Sequence, residues 1–323
     1  EPAAGCLWGQ FYLLVGLTST ELARKKAALA GVDEQIVRET MKDVSLQSER
    51  FRLVHNYYGL FPEALNWLRH HALGEIYRLG RLQFMVKPFG LNYRIYRHRQ
   101  SGCTVGLAGD GVCFDADGFV CAKDFEPDWS STLNLGDDWI EGFPILPDGK
   151  AQKRLIRLDA NEWECRIDKN SPVLDMHIPA GGGMTLSACQ DSMRWALRFF
   201  PEHFPERKFA AFSCKSWILN TQLQKVLPPE ANLLQFQREV YLLPTAGDGK
   251  SGLNFIFGKK DVNMHTAPRT TSIQRALLEI LESGQALRSG GMVFLPEDVN
   301  KIGMQLYRSQ WPATFAHCKE AGL

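Results

Sequence analysis

Apolar and polar positions recur at helical spacing from about Glu21 to His71. Glu21–Met41 is rich in Ala, Lys, Glu and Arg, all good helix formers, and Gly31 predicts a break between two shorter helices. The pattern resumes over Phe51–Tyr58 and again over Pro62–Leu79, with Leu65, Leu68 and Leu73 among its apolar positions. At Gly80 the period drops to two. Arg81–Phe89 alternates as a strand, and Asn92–His98 reads as its partner. Between Ser101 and Lys150 short strands alternate with turn signals, among them Asp110-Gly111, Asp117-Gly118 and Asp148-Gly149. A calcium loop starting at Asp115 fails, because the EF-hand register places Val120 where glycine is required.

The second half carries the most regular order: strand, glycine loop, helix, strand, short helix, strand, hairpin, strand. Its first strand is Val173–Ile178, with Leu174, Met176 and Ile178 on one face and Asp175 and His177 on the other. A helix is predicted over about Thr185–Phe200, with Leu186, Cys189, Met193, Leu197 and Phe200 as its stripe and Pro201 helping to end it. Phe209–Leu219 reads as a strand and Asn220–Leu227 as a short helix cut off by Pro228-Pro229. Gln237–Leu243 and Leu253–Gly258 read as a hairpin around Thr245–Lys250. Thr271 and Gln274 stand at capping-box spacing, opening a helix that buries Ile273, Leu277 and Ile280. Met292–Leu295 is a last strand, and a helix follows Pro296.

Length and charge narrow the class. At 323 residues the chain exceeds what one core usually serves, so two domains are expected, residues 1–150 and 151–323. With 37 basic against 36 acidic side chains the net charge is +1, which supplies no general field for nucleic acid. Eight cysteines are scattered without a CxxC pair, which argues against a zinc ribbon and for a reduced, cytoplasmic protein. Pro2–Thr20 carries no charge, but only Phe11–Leu17 is densely apolar, so neither a membrane span nor a signal peptide fits.

Candidate chemistry gathers around one turn. Gly181-Gly182-Gly183 lies between a strand and a helix, where successive amides and the helix dipole suit a phosphate or pyrophosphate. It is neither a P-loop nor G-x-G-x-x-G, and a tight turn packed by glycines fits the local sequence equally well. Asp175 and His177, just before the turn, could act as a base or as a base and its orienter. Taken alone, such a pair is more simply satisfied by neighbouring backbone at a domain interface. Cys189 and Cys214 invite a nucleophile reading with His177 as base, but one lies on an apolar helix stripe and the other mid-strand, so both read as core. His70, His71 and His203 read as surface residues.

Several phrases carry a resemblance: Leu79–Phe84, Val173–Gly183, Phe199–Pro205, Ser213–Trp217 and Met304–Arg308. With them, the chain resembles a two-domain bacterial family of N-acyltransferases. That implies an α/β (α+β) fold, a helical and small-strand N-terminal domain followed by a GNAT-like mixed-sheet domain. It further implies transfer of an acyl group, acetyl in the first instance, from acyl-CoA to a small-molecule or peptide amine. The loop Ile178–Met184, notably Ala180, Gly181, Gly182, Gly183 and Met184, is then the pyrophosphate cradle. Ile178 stands where such enzymes begin the signature with Gln or Arg. Asn220 falls where an asparagine contacts pantetheine. The tyrosine that protonates the leaving thiolate is missing from Thr221–Leu227, with Tyr241 a guessed substitute. Those departures favour a second reading, a degenerate module binding a CoA-like or peptide ligand, and a cysteine hydrolase using Cys214 or Cys189 with His177 is a third.

Overall fold

A computed structural model describes residues 7–121, 126–247, 250–312 and 315. Contacts divide the chain into two compact units, residues 1–87 with 174–208 and residues 88–173 with 209–323. The chain thus passes between units at three points instead of once near residue 150, and compactness divides it differently from the expected contiguous halves.

The first unit begins with three helices, α1 (Leu7–Leu29), α2 (Glu34–His55) and α3 (Pro62–Ala72). Gly31 separates α1 from α2 as expected, and Asp33 caps α2 by accepting from the Gln35 amide at 2.7 Å. Residues 7–20 of the uncharged segment belong to α1, whose buried face is small: Gly9, Gly16, Ala23 and Ala27. A Cβ at Gly9 would lie 2.4 Å from the Phe51 ring, and one at Gly16 would lie 2.8 Å from Leu60. Glycine inside a helix costs about 1 kcal/mol against alanine, and here it permits that close approach. The large side chains Leu7, Phe11, Leu14 and Leu17 are left exposed on α1. No helix among the described residues is long and apolar enough to cross a membrane.

The expected helix over Pro62–Leu79 is interrupted. After α3 the chain turns at Gly74 and becomes strand β1 (Ile76–Leu79). A two-residue turn, Gly80-Arg81, leads into β2 (Leu82–Pro88), with Leu79 opposite Leu82. The neighbour that residues 82–88 find first is therefore β1, while Tyr93–His98 pairs elsewhere. Strand β3 (Pro172–His177) is the next neighbour of β2 and leads through the glycine turn to α4 (Leu186–His203). Thr185 caps α4, which buries Cys189, Ser192, Met193, Ala196, Phe199 and Phe200. Pro201 sits inside the last turn instead of ending the helix. That close to the end, its missing N–H forfeits a single bond.

In the second unit Tyr93–His98 lies between Trp163–Ile167 and Thr104–Ala108, both antiparallel to it. Trp139–Gly142 lies between Leu133–Leu135 and Ile156–Asp159. Tyr96, Val105, Leu107, Ile140, Ile156, Leu158 and Trp163 form one core between these groups. Turns fall at the three Asp-Gly pairs. Phe212–Ser216 and Tyr241–Thr245 flank Ser289–Phe294, both antiparallel. That last strand reaches back through Gly290-Gly291, where a Cβ on Gly290 would lie 2.2 Å from the Leu219 carbonyl. The expected hairpin does not form. Gln237 lies in the helix Asn232–Glu239 and Leu253 in the helix Lys250–Phe257, since an apolar run of that length suits either state. Residues 248–249 of its proposed turn lie outside the described residues. The capping box at Thr271 and Gln274 is formed, and Leu277 and Ile280 of that helix pack on Leu223, Leu234 and Leu253. After Pro296 comes a 3-10 segment, Pro296–Lys301, in place of an α-helix.

Candidate active site

Strand β3 brings Asp175 and His177 to the end of the first unit's sheet. Val173 to Met176 are all buried, so Asp175, 4% exposed, does not stand on an open polar face. Its Oδ2 lies 2.6 Å from Lys87 Nζ on β2 and 2.6 Å from His177 Nε2. The contact to His177 has ion-pair distance without the alignment of a hydrogen bond. A carboxylate this buried is tolerable because a cation reaches it. His177 is the member that meets solvent, with 29% of its side chain exposed.

A second layer supports the imidazole. The His177 ring packs against Trp67 of α3, with centroids 4.6 Å apart at 56°. Trp67 Nε1 donates to Asp43 Oδ2 on α2, and His71 Nε2 lies 3.2 Å from that same oxygen. His71 also reaches Gln83 Nε2 at 3.4 Å and the Trp67 carbonyl at 3.3 Å. Asp43 and His71 are 4% and 1% exposed. His71, read as a surface residue, is thus a core residue tied to a buried carboxylate. Its neighbour His70 pairs with Glu75 at 2.5 Å, and His203 binds the Ala30 carbonyl at 3.1 Å.

Beyond His177 the chain makes the glycine turn. Gly181 and Gly182 adopt φ of +80° and +70°, a region that costs other residues strain. Ala180, Gly181, Gly182 and Gly183 are exposed, Ile178 is half-buried and Met184 is buried. Arg81, from the β1–β2 turn, donates to the carbonyls of Gly183 and Pro179 at 3.0 Å each and of Gly182 at 3.4 Å. Burial lowers the guanidinium from its usual range, yet arginine stays charged. Among the described residues none accepts a hydrogen bond from the amides of Gly181, Gly182 or Gly183. The first turn of α4 adds the positive end of its dipole.

The remaining candidates lie in the second unit. Tyr241 is fully buried, its hydroxyl accepting from the Gly106 amide at 2.8 Å and donating to the Ile145 carbonyl. Burial pushes its pKa up. With both backbone groups depending on that hydroxyl, Tyr241 is a core residue and not an acid poised for a leaving group. Asn220 is buried in a local turn, its side chain engaging the Gln222 amide and Gln222 Oε1 at 3.0 and 2.9 Å. It lines a small crevice with Arg288, Ser289 and Gly290. Cys189 and Cys214 are buried, and burial pushes the Cys189 thiol up to about 11, which removes the nucleophile reading. Cys103, Cys113, Cys121, Cys165 and Cys189 are free thiols. No three His, Cys, Asp or Glu side chains among the described residues gather as a metal site.

Residues 76–294 match the GNAT-like C-terminal domain family, well over half of the chain. The chain belongs to that family. Similar solved structures extend the likeness to most of the fold. One is an acyltransferase variant in complex with octanoyl-CoA, with a TM-score of 0.61 and 21% identity over 91% of this chain and 69% of that one. Others are acyltransferases in complex with CoA and 10C-teicoplanin, and with decanoyl-CoA and teicoplanin, each with a TM-score of 0.61 at 20% identity and the same coverage. At that identity the likeness is one of fold. No curated protein matches the sequence.

Lys87, Arg81, Trp67, Asp43 and His71 were not among the sequence candidates. Arg81 lies within the Leu79–Phe84 phrase that helped to suggest the family, but nothing local pairs it with a turn about a hundred residues away.

Proposed function

We propose that the protein is an acyl-CoA-dependent N-acyltransferase acting on a small-molecule or peptide amine. One observation carries the reading: within a single strand, turn and helix, a solvent-reaching imidazole backed by a buried carboxylate is followed by an open cradle of glycine amides. The fold it sits in is shared with acyltransferases solved with octanoyl-CoA, with decanoyl-CoA, with decanoyl-CoA and teicoplanin, and with CoA and 10C-teicoplanin. Gly181, Gly182, Gly183 and the neighbouring amides of Ala180 and Met184 hold the pyrophosphate, with Ile178 contributing backbone only. Asn220 is kept as a pantetheine contact on the resemblance alone, its side chain being bonded within its own turn. An ammonium must lose a proton before it attacks a thioester. With Nε2 turned to Asp175, the His177 ring offers Nδ1 as the acceptor, directly or through water. The amine nitrogen bonds to the thioester carbon, the carbon–sulfur bond breaks, and the CoA thiolate takes up one proton. From ammonium to amide the nitrogen sheds two protons: one balances that uptake and the other passes through His177 to solvent. Holding amine and thioester together supplies much of the remaining rate. The use of acyl-CoA as donor agrees with a cytoplasmic setting.

The burial of Tyr241, which removes the candidate acid, favours a second reading, a module that binds acyl-CoA without turning it over. Calorimetric titration with acetyl-CoA and octanoyl-CoA tests both. Wild-type protein should bind, and Gly182→Asp, whose carboxylate repels the pyrophosphate, should not. A folded wild-type protein that binds neither removes both readings. Binding without transfer to any amine in a broad screen leaves the second.

A further inference from the structure

We propose that Arg81 is the positioning residue of the glycine turn, setting the direction of the amides that hold the acyl-CoA pyrophosphate. The inference rests on the acyltransferase reading above and adds a residue to it. Peptide planarity carries it. In a trans peptide the carbonyl of one residue and the N–H of the next point in opposite directions. Arg81 gathers the carbonyls of Pro179, Gly182 and Gly183 onto one guanidinium. The N–H groups of Ala180, Gly183 and Met184 therefore turn away from Arg81, toward a common opposite side. Amides kept on the face away from the guanidinium stay open to an anion, whereas a glycine-rich turn left to itself samples many directions.

Arg81 is itself held in place. Gly80, at φ +77°, occupies the first corner of the two-residue β1–β2 turn, where the hairpin geometry calls for glycine. The Arg81 amide donates to Ser192 Oγ of α4 at 2.7 Å, and the Leu82 amide reaches the same oxygen at 3.2 Å. Its backbone is thus tied to the helix that follows the glycine turn and its side chain to the turn. The rigid fork matters, because a lysine offers a point charge and cannot span three carbonyls in fixed geometry. This gives a physical account of Ile178. The turn takes its order from an arginine on another element and needs no long polar side chain at its own first position.

The test compares wild type, Arg81→Lys and Arg81→Met, each first shown to be folded by circular dichroism and thermal melting. Octanoyl-CoA binding should weaken at least tenfold in both variants. Octanoyl-pantetheine, which ends before the pyrophosphate, should bind all three proteins alike. Amide hydrogen exchange over residues 180–184 should speed up in both variants without ligand. Wild-type affinity in Arg81→Lys would show that charge alone suffices, and would overturn the positioning role. Wild-type affinity in Arg81→Met, or equal weakening toward octanoyl-pantetheine, would overturn it as well. If wild type binds no octanoyl-CoA, the acyltransferase reading itself fails, an outcome distinct from normal binding by the variants. Should Arg81→Met not fold, Arg81→Lys with its exchange rates still decides.

Discussion

Among the described residues Asp175 and Asp298 are each buried beside a lysine or arginine, one in each compact unit, and the two surroundings differ. In the second unit Asp298 is fully sealed. Arg97 grips it with two hydrogen bonds of 2.5 and 3.0 Å, Lys301 lies at 3.2 Å and the Tyr307 hydroxyl at 3.2 Å. Nothing at Asp298 is left over. In the first unit Asp175 is nearly as buried, but both partners meet the same oxygen, and both reach solvent. Its imidazole lies off the hydrogen-bond axis and keeps a second nitrogen for other use. Burial of a carboxylate is therefore a poor sign of function by itself. The informative features are the exposure of its partners and the bonding capacity they keep.

The largest effect should come from the open site. His177→Gln should lower acyl transfer about 10²- to 10⁴-fold and leave the melting temperature close to wild type, measured with whichever amine the screen identifies. A variant that keeps its rate, or that unfolds, would erase the contrast. The sealed site should behave oppositely. Asp298→Ala strands the Arg97 guanidinium, 12% exposed, without its fork partner. The loss should be about 3–5 kcal/mol of unfolding free energy by denaturant titration, with octanoyl-CoA affinity unchanged wherever enough folded protein remains. The smallest effect concerns the thiol packed behind the glycine turn. Burial raises Cys189 to about 11, so folding favours its protonated form. That stability is fully present below the ordinary thiol range near 9 and is lost as pH rises toward 11. Unfolding measured from pH 8 to 11 should show a decline that Cys189→Ala reduces by on the order of 2 kcal/mol. An unchanged decline would mean that Cys189 is less sealed than its packing indicates.

Much of the site's frame could be read from the chain. A short alternating strand, three glycines and an apolar stripe from about Thr185 predict strand, turn and helix, because each signal lies within a few residues of the structure it causes. The capping box at Thr271 is legible for the same reason. Elements whose partners are distant were harder. Tyr241–Thr245 and Leu253–Phe257 contain comparable apolar runs, yet one becomes a strand beside Ser289–Phe294 and the other a helix. Ile76–Leu79 carries helical spacing but pairs with β2, since a two-residue turn at Gly80-Arg81 offers an antiparallel ladder.

The sequence by itself determined the GNAT-like domain, the order of elements around the glycine turn and the placing of Asp175 and His177 just ahead of it. The domain is legible through resemblance to its family, whereas the order of elements and the placing of the pair rest on local periodicity, capping and turn chemistry, which act over one or two turns of chain. Only the tertiary structure decided that Lys87 meets Asp175, that His71 is buried against Asp43, that Tyr241 is locked in a core, and that Arg81 reaches the Gly183 carbonyl 102 positions away. Those contacts depend on which surfaces bury one another. The free energy that selects them comes from packing across the fold, so no short window of sequence contains it.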